Sequence, residues 1–260
     1  MQIGISSACF YPKVETENAI PLMKKLGFEL GEIFLNSPSE YEYEFVQKVY
    51  EQKLRYDFKI NSVHAFCAHF EPFLFDRYDR RRKDMMFYFK AVCRACNQLQ
   101  ANSYTFHGMR NIESKGLDKG FVIDIYNELT YIAGEAGIKL AQENVSWCMS
   151  SDLDFLTMVK EKCKYPLFFT LDLKQAYKAN KFPKDYIDIM GNELINLHIN
   201  DRDEDNVCLL PGNGDIDYTI LSKELSDIGY KGNAIIEVYN ENFKTYDELK
   251  KSKKLLMNVL

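Results

Sequence analysis

The stretch Leu194-Ile195-Asn196-Leu197-His198-Ile199-Asn200-Asp201 alternates with period two, so that Asn196, His198 and Asn200 share one face of a strand while Leu197 and Ile199 take the other. The apolar face suits a layer of covering helices. The polar face then looks inward, where an ionisable group survives only if it is paired or bound to a metal. Seven more β-rich runs accompany this one: Gln2–Ser6, Gly31–Asn36, Ile60–Ala65, Ser103–Gly108, Leu140–Val145, Leu167–Leu173 and Asn233–Tyr239. Helical patterns occupy Asn18–Leu26, Tyr41–Leu54, Arg77–Leu99, Asp118–Ala136, Ser151–Cys163, Asp185–Met190, Tyr218–Ile228 and Tyr246–Val259. Gly27, Gly137 and Gly229 stand just past helical patterns, where a residue able to take positive φ commonly ends a helix.

Eight strand-helix units in 260 residues, about 32 residues each, predict an α/β protein built as a single (β/α)8 TIM barrel, with residues 1–260 as one domain. An open doubly wound sheet would carry a Gly-rich turn after its first strand. Here that turn reads Ala8-Cys9-Phe10-Tyr11-Pro12.

Barrel chemistry gathers at the C-terminal ends of the strands, and six consecutive strands deliver an ionisable residue there: His64, His107, Glu143, Asp172, His198 and Glu237. In the last strand Ile235, Glu237 and Tyr239 oppose Ile236 and Val238, which turns Glu237 inward. Glu143, Asp172, His198 and Glu237 together make an oxygen-rich ligand set suited to Mn²⁺, Mg²⁺ or Co²⁺ and tolerable for Zn²⁺. Three carboxylates converging without a cation would repel and raise the pKa of at least one of them. One divalent ion is therefore expected, with a second at His64 and His107, bridged by Glu143, as the alternative.

The formal charge of −5 does not favour a polyanion, so no nucleic-acid partner is expected. No apolar run approaches the roughly 20 residues of a membrane span, and the N-terminus lacks a secretory pattern, so the cytoplasm is the expected location. Seven scattered cysteines suit reduced thiols. The Cys93-x-x-Cys96 pair falls within a helical pattern without a second pair to complete a zinc site, and is read as packing.

The chain resembles the xylose isomerase-like barrel superfamily, which includes sugar and sugar-phosphate isomerases and epimerases and the type IV AP endonucleases. The resemblance rests on Gly31-Glu32-Ile33-Phe34, Val63-His64-Ala65, Phe106-His107-Gly108, Leu140-Ala141-Gln142-Glu143-Asn144, Leu171-Asp172-Leu173, Leu197-His198-Ile199-Asn200-Asp201, Pro211-Gly212-Asn213-Gly214-Asp215-Ile216-Asp217 and Ile235-Ile236-Glu237, in that order. It implies that Glu143, Asp172, His198 and Glu237 are the shared metal ligands. It also implies a metal-dependent isomerase or epimerase acting on a sugar or sugar phosphate, in which Glu143 and Glu237 move a proton by way of an enediolate.

In the same comparison His64 and His107 match pocket histidines that contact substrate, Glu32 an inward strand-two glutamate expected to contact substrate or to neutralise a neighbour, and Gln175 a substrate-binding position where many epimerases have a histidine. Gln175, Asn206 and Cys208 replace the residues that hold a third metal in the endonucleases, which argues against DNA repair. Arg202 and Lys174 are placed to meet a phosphate or carboxylate, with exposed salt bridges as the plainer role. Trp147 and Phe10, near the mouth by strand count, are candidates to stack on a sugar, and His69 is a lesser candidate for substrate contact. The rival readings are a dehydratase on the same metal site and a non-catalytic sugar-binding barrel. Barrels of this group often pair, so a homodimer is an open expectation.

Overall fold

The computed structural model describes residues 1–112 and 116–260. The strands are β1 (Ile3–Ser6), β2 (Leu30–Leu35), β3 (Lys59–Ala65), β4 (Ser103–Phe106), β5 (Lys139–Glu143), β6 (Phe168–Asp172), β7 (Leu194–Ile199) and β8 (Asn233–Ile236). Each pairs in parallel with the next, and β8 pairs with β1, so the sheet closes into the expected barrel. The α-helices are α1 (Ala19–Lys25), α2 (Tyr43–Arg55), α3 (Asp79–Gln98), α4 (Lys119–Glu135), α5 (Leu153–Lys162), α6 (Leu173–Lys178), α7 (Pro183–Met190), α8 (Tyr218–Asp227) and α9 (Tyr246–Val259).

Helix starts follow local side-chain chemistry. Asp118 and Asp152 accept from the amides of Phe121 and Phe155, three residues on, at 3.1 and 2.8 Å. Thr245 and Glu248 form a reciprocal capping box at the start of α9. The same device explains α6, which the sequence patterns do not show: Asp172 accepts from the Gln175 amide at 3.1 Å and starts a helix directly at the end of β6.

Outward strand residues such as Ile33, Leu35, Val63, Leu197 and Ile199 are fully buried against the helices, together with Phe89, Val92 and Leu256. At Gly31 a Cβ would stand 2.5 Å from the Ile5 carbonyl oxygen, so the close approach of β1 and β2 requires glycine there. Gly27, Gly137 and Gly229 take positive φ just past helices, as expected.

Barrel interiors are usually filled by Val, Ile and Leu. Here the inward positions below the mouth are instead Ser6, Glu32, Ser62, Thr105, Thr170 and Asn196, all buried. Among the described residues no helix is long and apolar enough to cross a membrane.

Candidate active site

Glu143 and Asp172 are the last residues of β5 and β6, His198 is the penultimate residue of β7, and Glu237 follows β8 directly. All four are buried, and their ligand atoms lie within 4.8 Å of one another. His198 Nδ1 is the centre of the group, 3.0 Å from Glu237 Oε2, 3.3 Å from Glu143 Oε1 and 3.9 Å from Asp172 Oδ2. Asn144 fixes the strand ends: its side chain donates to the Asp172 carbonyl at 3.1 Å and accepts from the Asp172 amide at 2.7 Å. Asn200, two residues after His198 on the same face, donates to Asp172 Oδ1 at 3.2 Å.

The electrostatics call for a cation. Burial is the main cause that pushes the Asp172 carboxyl up to about 6, with Lys174 opposing it and the neighbouring carboxylates of Glu143 and Glu237 adding repulsion. Burial opposes charge on His198, yet Glu237 and Glu32 beside it drive its pKa well above the ordinary imidazole range. Asp172 Oδ2 is buried without a hydrogen-bond partner. A carboxylate oxygen that makes no hydrogen bond and has the Lys174 ammonium at 3.4 Å, in a group of three carboxylates and an imidazole, fits a divalent ion with oxygen and nitrogen ligands.

His64 and His107 lie on the far side of Glu143. Their Nε2 atoms are 2.7 Å apart, and His107 Nε2 is 2.8 Å from Glu143 Oε2. His64, His107 and Glu143 form a second group whose ligand atoms lie within 4.8 Å. Cys67 Sγ stands 2.8 Å from His107 Nδ1, and Glu71, which the sequence analysis did not single out, accepts from the amides of His107 and Gly108 at 2.7 and 3.0 Å. A lone Glu in the Phe70-Glu71-Pro72 loop gives no signal of that role.

Above the cluster opens a cavity of about 460 Å³. Its polar wall is His64, His107, Glu143, Lys174, Gln175 and Glu237, and its aromatic wall includes Phe34, Phe66, Trp147 and Tyr239. Gln175 is held through its Oε1, which accepts from the Ser146 amide at 3.0 Å and hydroxyl at 2.8 Å, so its NH₂ remains for a ligand.

Several sequence expectations are corrected here. Lys174 is not an exposed salt-bridge residue: it is 5% exposed, with Nζ 3.4 Å from Asp172 and 3.7 Å from Glu237 and the Tyr239 ring at 5.0 Å, because α6 begins one residue after Asp172 and turns it toward the cluster. Arg202 does not line the cavity, since its guanidinium lies 4.2 Å over the Tyr177 ring. Phe10 is 2% exposed and packs edge-on against Tyr246, whereas Trp147 does reach the cavity wall. His69 packs among Tyr41, Phe66, Phe70 and Tyr88, outside the lining. Glu32 lies below the ligand layer, fully buried, where the hydroxyls of Ser6, Ser62 and Thr105 donate to it. Cys93 and Cys96, by contrast, are buried free thiols packed on α3, as the sequence predicts.

The family model described as xylose isomerase-like TIM barrel matches residues 20–258. Among solved structures, a D-tagatose 3-epimerase-like protein is 20% identical and superposes with a TM-score of 0.83 over 100% of this chain and 97% of that one. D-psicose 3-epimerase from Clostridium cellulolyticum H10, solved with D-tagatose, is 17% identical with a TM-score of 0.80 over 100% and 99%. The IolI protein, solved with a bound zinc atom, is 17% identical with a TM-score of 0.77 over 100% and 98%. No protein of curated function matches the sequence.

Proposed function

We propose, from the premise that this chain belongs to the xylose isomerase-like TIM barrel family, that it is a metal-dependent enzyme that isomerises or epimerises a small sugar or sugar phosphate, built as one barrel domain over residues 1–260. The observation that carries the reading is the cluster of Glu143, Asp172, His198 and Glu237 at the floor of the aromatic-walled cavity, with both glutamates in its lining. Solved relatives of the same fold are described as epimerases of ketoses, which is the chemistry such a floor suits.

Glu143, Asp172, His198 and Glu237 would hold a divalent ion, which would supply Lewis-acid polarisation of a substrate carbonyl and its neighbouring hydroxyl. The protein's own groups do the rest. One of Glu143 and Glu237 removes the proton on the carbon next to the carbonyl, and the other returns a proton to that carbon or its neighbour. Asp172 and His198 hold the geometry of the floor. His64, His107 and the Gln175 NH₂ are hydrogen-bonding partners for substrate hydroxyls, while Trp147 and Phe66 cover an apolar sugar face and keep water out.

The test joins elemental analysis with product NMR. Purified protein is expected to hold about one divalent ion per chain, lost in Glu143→Ala and His198→Ala, and to exchange a substrate C–H for C–D in D₂O with a panel of ketoses and ketose phosphates. Protein that takes up no Mn²⁺, Co²⁺ or Zn²⁺ after reloading would sink the enzyme reading, and loss of water from the sugar would move the reaction to the dehydratase class.

A further inference from the structure

Glu32 is a fully buried carboxylate of the barrel interior outside the cavity wall and outside the group of Glu143, Asp172, His198 and Glu237, with His64 Nδ1 3.6 Å from its Oε1. Its surroundings are built from four strands. Oε2 accepts from the Ser62 hydroxyl at 2.7 Å and the Thr105 hydroxyl at 3.0 Å, Oε1 accepts from the Ser6 hydroxyl at 3.3 Å, and His198 Nε2 completes the set 3.0 Å from Oε2. Ser6, Ser62 and Thr105, at inward positions that a barrel would ordinarily fill with Val, Ile or Leu, are here donors aimed at one oxygen pair.

That convergence fixes an assignment on the neighbouring imidazole. A carboxylate ringed by hydroxyl donors is an acceptor only, so the ring nitrogen facing it must carry the hydrogen. When an ion takes the place of the Nδ1 hydrogen, the lone pair of His198 stands on Nδ1, the atom that faces Glu237, Glu143 and Asp172. The Ser62 and Thr105 hydroxyls hold Glu32 still, and Glu32, at 3.0 Å the nearer partner of Nε2 than the Asn196 amide at 3.4 Å, holds the plane of the imidazole from below.

We propose that Glu32 is a positioning residue rather than a substrate contact: it fixes the Nε2–H tautomer and the ring orientation of His198, so that Nδ1 is the metal-ligating atom. The inference rests on the metal-centre reading given above and extends it below the ligand layer. It explains why a carboxylate sits in the barrel's closed interior, where burying one without donors would be strongly unfavourable.

The experiment compares wild-type protein with Glu32→Gln by isothermal titration of Mn²⁺ or Zn²⁺ into the metal-free forms, with metal-free melting temperature as the control for folding. The amide keeps the volume but no longer imposes one proton position on His198, and roughly 10- to 100-fold weaker ion binding is expected. Unchanged affinity in a folded Glu32→Gln protein overturns the proposal while leaving the metal centre intact. A wild type that binds no ion overturns both together, which separates the two failures. Should Glu32→Gln not fold, ¹⁵N-histidine NMR of Zn²⁺-loaded wild type decides: a slowly exchanging Nε2–H on His198 with Nδ1 shifted by zinc supports the assignment, and a proton on Nδ1 refutes it.

Discussion

Cys67 Sγ lies 2.8 Å from His107 Nδ1, on the opposite side of the ring from Glu143 Oε2, which is 2.8 Å from Nε2. Burial, aided by Glu71, pushes the thiol far above its ordinary range, so it stays S–H and donates to Nδ1. His107 Nε2 faces both Glu143 Oε2 at 2.8 Å and His64 Nε2 at 2.7 Å. The Cys67 contact on Nδ1 leaves Nε2 as the atom that His107 turns toward the cavity side. We expect His107→Gln to keep one equivalent of metal while KM rises about 2- to 10-fold, the size of one lost hydrogen bond; loss of metal in this variant, seen by elemental analysis, would show a second ion at the His64 side.

The two glutamates of the floor should be separable from mere ligands by charge-neutral substitution. Glu143→Gln and Glu237→Gln are each expected to lower kcat by about 10²- to 10⁴-fold, with solvent deuterium exchange at the substrate carbon falling in parallel. Near-normal turnover in both, with metal retained, would falsify the two-carboxylate proton transfer.

Metal-free protein should lose stability as pH rises. Burial disfavours protonated His64, but Glu237 and Glu32 outweigh it and raise its pKa from 6.5 to about 10. A raised imidazole pKa stabilises the fold fully below pH 6.5, and that contribution is lost as pH climbs to about 10. Melting temperature measured in chelator across this window is expected to fall, and His64→Gln should flatten the curve. Saturation with a divalent ion should flatten it too, because the ion then supplies the positive charge.

Lys174 provides the protein's own cation beside the cluster. Removing one partner of a buried ion pair costs about 3–5 kcal/mol, so Lys174→Met should destabilise the metal-free protein by an amount of that order in urea unfolding. Ion binding should recover more of the loss than it adds to wild type. Equal loss with and without the ion would place Lys174 outside the cluster's electrostatics.

The barrel seam offers a purely structural check. Gly31→Ala forces a Cβ against the Ile5 carbonyl at 2.5 Å, backbone that cannot step aside without moving β1. A loss of about 1–3 kcal/mol or more in urea unfolding is expected, with no change in ion stoichiometry.

Most of the architecture was readable from hydrophobic alternation, and so was the convergence of Glu143, Asp172, His198 and Glu237, because strand ends in a barrel converge whatever the loops do. The errors fall where side chains override the backbone pattern. The fourth run reads as a strand to Gly108, but the β4 ladder stops at Phe106 because Glu71 takes the next two amides. The burial of Lys174 depends on α6, which one aspartate cap creates, and six residues are too few for a helical period to show. The role of Glu32 was hidden for another reason: its donors Ser6, Ser62 and Thr105 lie on three separate strands, and only closure of the sheet brings their hydroxyls to one point.

The hydroxyl-ringed centre of the barrel also bears on redesign. A designer seeking a more heat-resistant barrel would fill Ser62, Thr105 and Glu32 with branched aliphatic side chains, the ordinary recipe for this architecture. Such a chain would close into a tighter barrel and lose the ring beneath His198. Robustness and readiness for the ion draw on the same few interior positions, so thermal stabilisation of this protein has to come from its helices and loops.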